Sequence, residues 1–390
     1  YKIGKISSPV IFNKMEFASV YSLNHNDEIY VSEADEYRFN TLVDRYKSHI
    51  DRILPSGYEV QIAISLQYLL EERCDIVIVE TGMGGAEDAT NVFKNTLCDV
   101  ITSISRDHIG MIGDNLKEIT TCKCGIITKN GRVVTTSSNK DVLDIIERKC
   151  KDNNAKLVVA SLEDVDNIEL SINNNKFTYI RDKNNRINYT SSIGDEYTIG
   201  LNGLHQIENA IIAMEVINVI NGLKLENKIC ISTQARKKGL RFTKQRARCD
   251  ITRITDKIMI MADGAHNIDG AISLVKSVDD YIDKTRYKII YAISIFKDKE
   301  YKEVIRCILK NADEIWSFAT NNCRSMDSYE LYKEIKSQLK VCDKEKTYTE
   351  YDFNRKIQIE ERERSRVKMF MSEINQNDKK AREGSIEFKP

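Results

Sequence analysis

The sequence predicts an α/β protein made of two doubly wound units, and three observations carry that prediction. Continuous β-branched runs of strand length recur, the first being Asp75-Ile-Val-Ile-Val79, and such runs suit parallel strands buried on both faces. Helical patterns stand between them, as over 59–70, where Val60, Ile62, Ile64, Leu66, Leu69 and Leu70 supply apolar surface for packing on a sheet. The alternation then restarts near residue 250, as in a second unit of the same class.

In chain order, 75–79, 100–104 and 132–136 read as strands of the first unit, and 141–150 as a short amphipathic helix. Over 165–200 the pattern changes to short, turn-bounded runs, 168–172, 176–180 and 186–190, which read as an antiparallel patch at one edge. Asn202-Gly-Leu-His-Gln206 then leads into an apolar helix over 207–220. The second unit opens with a strand at 257–261, followed by strands at 288–294 and 314–318, with helices starting at 268 and 299. These readings divide the chain into 1–249, 250–350 and a charged tail, 351–390, dense in Lys, Arg and Glu and read as a solvated helix or a disordered end. Only three prolines occur and no Pro/Gly-rich linker marks the boundary, so the restart of the pattern sets it.

The 390 residues are 41% hydrophobic and 30% charged, enough for a sizeable core. A formal net charge of zero gives no global field to draw in nucleic acid or an anionic membrane surface, and sets both aside as partners. Ten cysteines occur without a CxxC pair, and Cys122-Lys-Cys124 has the wrong spacing for a zinc knuckle or a redox dithiol. Reduced thiols in a cytoplasmic protein are the expectation. The chain opens at Tyr1 on a strand-like Tyr-Lys-Ile-Gly-Lys-Ile, which reads as the interior of a longer protein.

The strongest local signal is Val79-Glu80-Thr-Gly82-Met-Gly84-Gly85-Ala-Glu-Asp88-Ala-Thr90-Asn91. A carboxylate at the end of a buried strand stands at the crevice where α/β sheets bind ligands, and glycine lets backbone approach a ligand closely. A Gly-rich turn after a strand is often only a turn; Glu80 together with Asp88, Thr90 and Asn91 favours a ligand loop. His108, in Ser-Arg-Asp107-His108, follows a second strand and is placed to share a divalent cation with Glu80, oxygens plus one imidazole suiting magnesium or manganese; the bland reading is a structural histidine. Lys123 reads as an exposed lysine or as a partly buried, carbamylated one. Asp263-Gly-Ala-His266-Asn267 closes another strand with polar groups. Three of the five histidines, 108, 205 and 266, fall in such strand-end or helix-start motifs.

Together these residues resemble the folylpolyglutamate synthase/dihydrofolate synthase branch of the Mur ligase family. The branch's E-x-G-[LM]-G-G-x-x-D-x-T-N stands at 80–91, its D-H at 107–108, its H-Q-x-x-N-A at 205–210 and its D-G-A-H-N at 263–267. Its E-K-A-G-I is altered to Cys122-Lys-Cys-Gly-Ile126, its T-S-P to Ser7-Ser8-Pro9, and its small-Arg-x-acidic element matches Ala247-Arg248-Cys249-Asp250, with Arg246 as a rival to Arg248. The resemblance spans 1–320 and implies a central P-loop-type parallel sheet domain followed by a Rossmann-like C-terminal domain. It implies an ATP-dependent ligase that joins L-glutamate to a folate or dihydropteroate through an acyl phosphate, a monomer using ATP and Mg2+, with K+ as a further candidate cation. By the same matches Ser8, Glu80 and His108 hold divalent cations, Lys123 is the carbamylated lysine, Asn209, Arg248 and Asp263 contact ATP, and His266 sits beside the reacting groups.

The branch's phosphate loop, G-T-N-G-K-G-S, is not among the 390 residues, and no G-x-x-x-x-G-K-[ST] occurs in them. The expectation is therefore a fragment without its first central strand, impaired as it stands. The alternatives are another Mur-family amide ligase with a different acceptor acid, and a non-catalytic relative that binds a folate or a partner.

Overall fold

A computed structural model describes residues 1–10, 13–23, 29–105, 110–136, 139–180, 194–223, 229–255 and 257–344. They form two compact units, one of Tyr1–Glu169 with Asn173–Arg246, the other of Leu170–Ile172 with the chain from Ala247 onward.

The first unit opens with β1 (Ile3–Ile6), β2 (Ala18–Leu23) and β3 (Ile29–Glu33), then α1 (Glu36–Ile53) and α2 (Gly57–Glu71), then β4 (Ile76–Val79). Asp35 caps α1 by accepting the Arg38 N–H, and Ser56 with Glu59 forms a capping box on α2, so both helices start where a side-chain oxygen satisfies the free amides. The strands form one sheet in the order β3-β2-β1-β4. β1 runs antiparallel to β2 and parallel to β4, with Ile6 opposite Val79. The two helices bury Leu42 and Leu69 in a core with Ile6, Phe17 and Val20.

A second, parallel sheet follows from β5 (Asp99–Ile101), α3 (Leu116–Lys123), β6 (Arg132–Thr135), α4 (Lys140–Asp152) and β7 (Lys156–Val159), in the order β5-β6-β7. Val133, Val142, Ile146 and Cys150 pack together beneath it, and burial pushes the Cys150 thiol up to about 11. β8 (Val165–Glu169), β9 (Asn175–Tyr179) and β10 (Asp195–Ile199) make a three-stranded antiparallel sheet in which Phe177 and Tyr197 stack at 5.7 Å. α5 (Leu204–Asn221) and α6 (Thr233–Phe242) complete the unit.

The second unit pairs β11 (Asp250–Thr255) with β12 (Ile258–Ala262) as an antiparallel hairpin. α7 (Ile268–Tyr281), β13 (Ile290–Ile293), α8 (Tyr301–Ile308), β14 (Glu314–Ser317) and α9 (Ser328–Lys344) follow, with β13 parallel to β14. Ala271, Ile305, Ile315, Leu331 and Ile335 are the centre of its core.

The α/β class and the strands at β4, β6, β9, β13 and β14 are as the sequence predicts; several details differ. β4 was expected to be buried on both faces, yet Val77 is 37% and Ile78 58% exposed. Among the described residues β4 is the end strand of its sheet, bonded only to β1, and β5 begins another sheet; a strand gains full burial only from neighbours on both sides. β5 stops at Ile101 rather than 104. In the antiparallel sheet the first strand lies three residues earlier than read, and the third is β10; 186–190 lies outside the described residues. The second unit opens with β11, a mostly exposed strand in which only Ile251 is buried, so a search for continuous apolar runs passes over it. Within the first unit, α1 and the β2–β3 hairpin also escaped that search. His108 and the tail 351–390 lie outside the described residues.

One ionic cluster ties β1 to the helices. Glu72, just after α2, accepts from Lys2 Nζ at 2.6 Å and from the Arg38 guanidinium. These hydrogen bonds, that of Lys2 foremost, hold its carboxyl below the usual range. A depressed folded-state value contributes stability above the unfolded carboxylate range, and that contribution is lost as pH falls through the folded value. Glu72→Gln is therefore expected to destabilise by roughly 1–2 kcal/mol at neutral pH. In urea melts across pH, the gap to the parent should close in acid; a gap independent of pH would mean that the ion pairs do not contribute.

Candidate active site

The parallel register of β1 and β4 sets Ile6 beside Val79, so the chain leaves both strands together at their carboxyl ends. Glu80 N–H donates to Ile6 O at 2.9 Å, and Ser8 N–H donates to Glu80 Oε2 at 3.1 Å. Ser8 is partly buried and Glu80 is exposed. The two are thus neighbours at the strand ends.

The loop after Glu80 is held by its own polar residues. Asp88 Oδ2 accepts the Met83 N–H at 2.8 Å, while Oδ1 accepts the Thr90 N–H and hydroxyl at 2.9 and 2.6 Å. Asn91 Nδ2 donates to Ala86 O at 3.0 Å and Gly125 O at 3.2 Å. Asp88, Thr90 and Asn91, read from sequence as signs of a ligand loop, therefore spend their hydrogen bonds on the loop itself. At Gly82, a Cβ would stand 2.1 Å from the Tyr58 hydroxyl oxygen. Burial beside Asp88 and Glu80 pushes the Tyr58 phenol up to about 12.

Lys123 reaches this loop through backbone contact. Ala86 N–H donates to Cys122 O at 3.0 Å. A Cβ on Gly85 would lie 2.8 Å from the carbonyl oxygens of both Cys122 and Lys123, and one on Gly125 2.3 Å from Ala86 Cα. Two turns interlock here with no room for side chains between them. Lys123, the last residue of α3, is half-buried and makes no ion pair with a described residue. Among the described residues no three His, Cys, Asp or Glu side chains gather as a metal-ligand set. The donors present are the Ser8 hydroxyl and the Glu80 carboxylate, oxygen ligands of the kind hard divalent cations take.

Asn209 lies one turn and a half into α5, exposed, its Nδ2 3.2 Å from Gln206 Oε1. Gly203 at the N-cap, with φ of +105°, makes no side-chain cap, and the first turn carries no acidic residue, so that helix end keeps its positive partial charge.

In the second unit Asp263 follows β12. Its Oδ2 accepts the Cys249 N–H at 2.7 Å and its Oδ1 the Ala265 N–H at 2.8 Å. His266 Nδ1–H donates to Gly264 O at 2.9 Å. Asn267 caps α7 through the Gly270 N–H. Arg248 is exposed, and a Cβ on Gly264 would meet its Nη1 at 2.7 Å. Asp263 and His266 thus share the turn after β12, and Arg248, just before β11, packs against it, while Arg246 belongs to the first unit. Cys249 and Tyr58, which support these groups, carry no motif that a sequence search would single out.

Residues 19–217 match the Mur ligase middle domain, which alone spans half of the chain, and 247–366 match the Mur ligase glutamate ligase domain. The chain belongs to the Mur ligase family. It is 28% identical over 316 residues to the dihydrofolate synthase/folylpolyglutamate synthase of Bacillus subtilis, covering 78% of this chain and 67% of that one. It is 26% identical over 337 residues to the dihydrofolate synthetase of Saccharomyces cerevisiae, covering 84% and 72%. A folylpolyglutamate synthase of Mycobacterium tuberculosis, solved with ADP and AMPPCP, superposes with a TM-score of 0.73 at 18% identity, over 96% of this chain and 78% of that one. That of Thermotoga maritima gives 0.68 at 24%, over 92% and 78%; at these identities the likeness shows the fold. The chain thus falls in the folylpolyglutamate/dihydrofolate synthase branch, a branch of ATP-dependent ligases. No described helix is long and apolar enough to cross a membrane.

The interlocked loop generates a stability prediction. Asp88→Ala strands the Met83 and Thr90 amides and should cost about 1–3 kcal/mol in urea denaturation. Gly125→Ala forces the two turns apart and should cost at least as much. Wild-type stability in both would show that the turns do not depend on each other.

Proposed function

We propose that the chain carries the ligase site for joining L-glutamate to a folate or dihydropteroate at the expense of ATP. The observation that carries this reading is the Ser8–Glu80 pair at the carboxyl ends of two parallel strands, with the Lys123 turn interlocked against the loop after Glu80. In the reaction, a carboxylate oxygen of the folate takes the γ-phosphoryl group of ATP, releasing ADP. The glutamate amine then attacks the acyl phosphate carbon, the C–O bond to phosphate breaks, and an amide, phosphate and a proton are left.

Ser8 and Glu80, with His108, would hold a divalent cation, which when bound neutralises phosphate oxygens and the charge developing on them. Carbamylation of Lys123 would replace its ammonium with an anionic carbamate and add an oxygen ligand to that set. Asn209 near the start of α5 and Arg248, just before β11 and against the turn after β12, suit phosphate and nucleotide polar atoms. His266, with Nδ1–H fixed on Gly264 O, offers Nε2 to the proton the amine gives up. Residues 1–249 would be the ATP and metal domain, 250–350 the glutamate-ligase domain, and the protein a cytoplasmic monomer using Mg2+, with K+ as a further candidate cation.

No phosphate-loop motif lies within the 390 residues. Cys122 before the lysine, where the branch's motif has glutamate, favours as a second reading a relative that binds a folate without turning it over.

Glutamate-dependent phosphate release from ATP, with dihydropteroate and with tetrahydrofolate as acceptors, tests the reading. Release with either, lowered on the order of 100-fold by Glu80→Gln, supports it. Undiminished release from Glu80→Gln would remove the site from the reaction. Folate binding with no release, even after a phosphate-loop segment is fused upstream, selects the non-catalytic relative.

A further inference from the structure

Resting on the nucleotide reading above, we propose that Ala247 and Cys249 are positioning residues: a left-handed bracket on either side of Arg248 that clamps the turn 263–265 and sets how Arg248 meets a nucleotide phosphate. Ala247 has φ of +55° and Cys249 φ of +45°. Residues with a Cβ enter that region at a cost, and persist there only where the surroundings over-determine the conformation. Two such residues within three positions, flanking the motif's arginine, are strain with a location.

The surroundings supply the determination. Gly264 N–H donates to Ala247 O at 2.9 Å and Cys249 N–H donates to Asp263 Oδ2 at 2.7 Å. The fully buried Cys249 thiol lies 3.5 Å from the same oxygen. With Ala265 N–H on Oδ1, both oxygens of Asp263 are engaged by the chain, so Asp263 anchors the bracket. The reward is the state of Arg248. Its guanidinium rests against Gly264, where a Cβ would reach Nη1 at 2.7 Å, and its one hydrogen bond, to Ala247 O, is 3.4 Å long. No described carboxylate pairs with it. An exposed guanidinium, held in place and without an internal anion, is suited to phosphate oxygens.

Backbone positioning and side-chain packing predict opposite orders of tolerance. Glycine adopts positive φ freely but leaves a gap at Cys249; valine fills the volume but resists positive φ. The experiment compares Cys249→Gly, Cys249→Val, Ala247→Gly, Ala247→Val and Arg248→Ala in the full chain. It reads amide hydrogen exchange at Gly264 and Ala265, and the affinity for MgATP by calorimetry. Both valine variants are expected to speed exchange at those two amides about tenfold and to weaken MgATP about tenfold, with exchange in β12 unchanged. Both glycine variants should stay within about threefold of the parent on each reading. The reverse order, valine tolerated and glycine damaging, overturns the proposal in favour of packing. Parent-like exchange in the valine variants overturns it whatever the nucleotide does. Faster exchange with unchanged MgATP affinity, while Arg248→Ala still weakens binding, overturns positioning alone. MgATP affinity that neither Arg248→Ala nor the valine variants alter overturns the nucleotide reading, and the proposal with it.

Discussion

The constraint on which the first unit's site depends is a contact between two backbones. The turn after β4 and the turn after α3 meet with Gly85 against the carbonyls of Cys122 and Lys123, and Gly125 against Ala86. Neither turn has space for a side chain at the contact. That closeness lets Ala86 donate to Cys122 O and Asn91 reach Gly125 O, so two segments far apart in sequence behave as one element. The side chains that leave this element, Glu80 from one strand end and Lys123 from the helix end, inherit its rigidity.

The sheets supply the other half of the placement. Parallel pairing of β1 with β4 brings Ser8 to Glu80 because in-register parallel strands end together. Among the described residues β4, as apolar as a central strand, is the end strand of its sheet, with Ile78 more than half exposed.

The second unit solves a similar problem by different means. Its first unit counterpart uses glycine to bring backbones together, whereas the turn after β12 is gripped by Ala247 and Cys249 in conformations that their side chains disfavour. Hydrogen bonds to Asp263 and Gly264 offset that cost. Strain of this kind survives only where several bonds act on the same few residues, which is the situation around Asp263.

The sequence by itself determined the α/β class, the positions of β4, β6, α4, β9, α5, β13 and β14, and the motifs at 80–91 and 263–267, because local apolar runs, capping residues and glycine spacing act over a few residues. It did not reveal β2, β3, β10 or β11, which mix polar with apolar residues and whose pairing is chosen by a partner strand. Nor did it say what Asp88, Thr90 and Asn91, polar residues of the same motif as Glu80, do in the loop. Only the tertiary structure decided that the latter three hold the loop while Glu80 is left exposed, and that Asp263 is bound to Cys249. A hydrogen bond is spent on whichever partner the fold brings within about 3 Å, and that partner is set by chain segments distant in sequence.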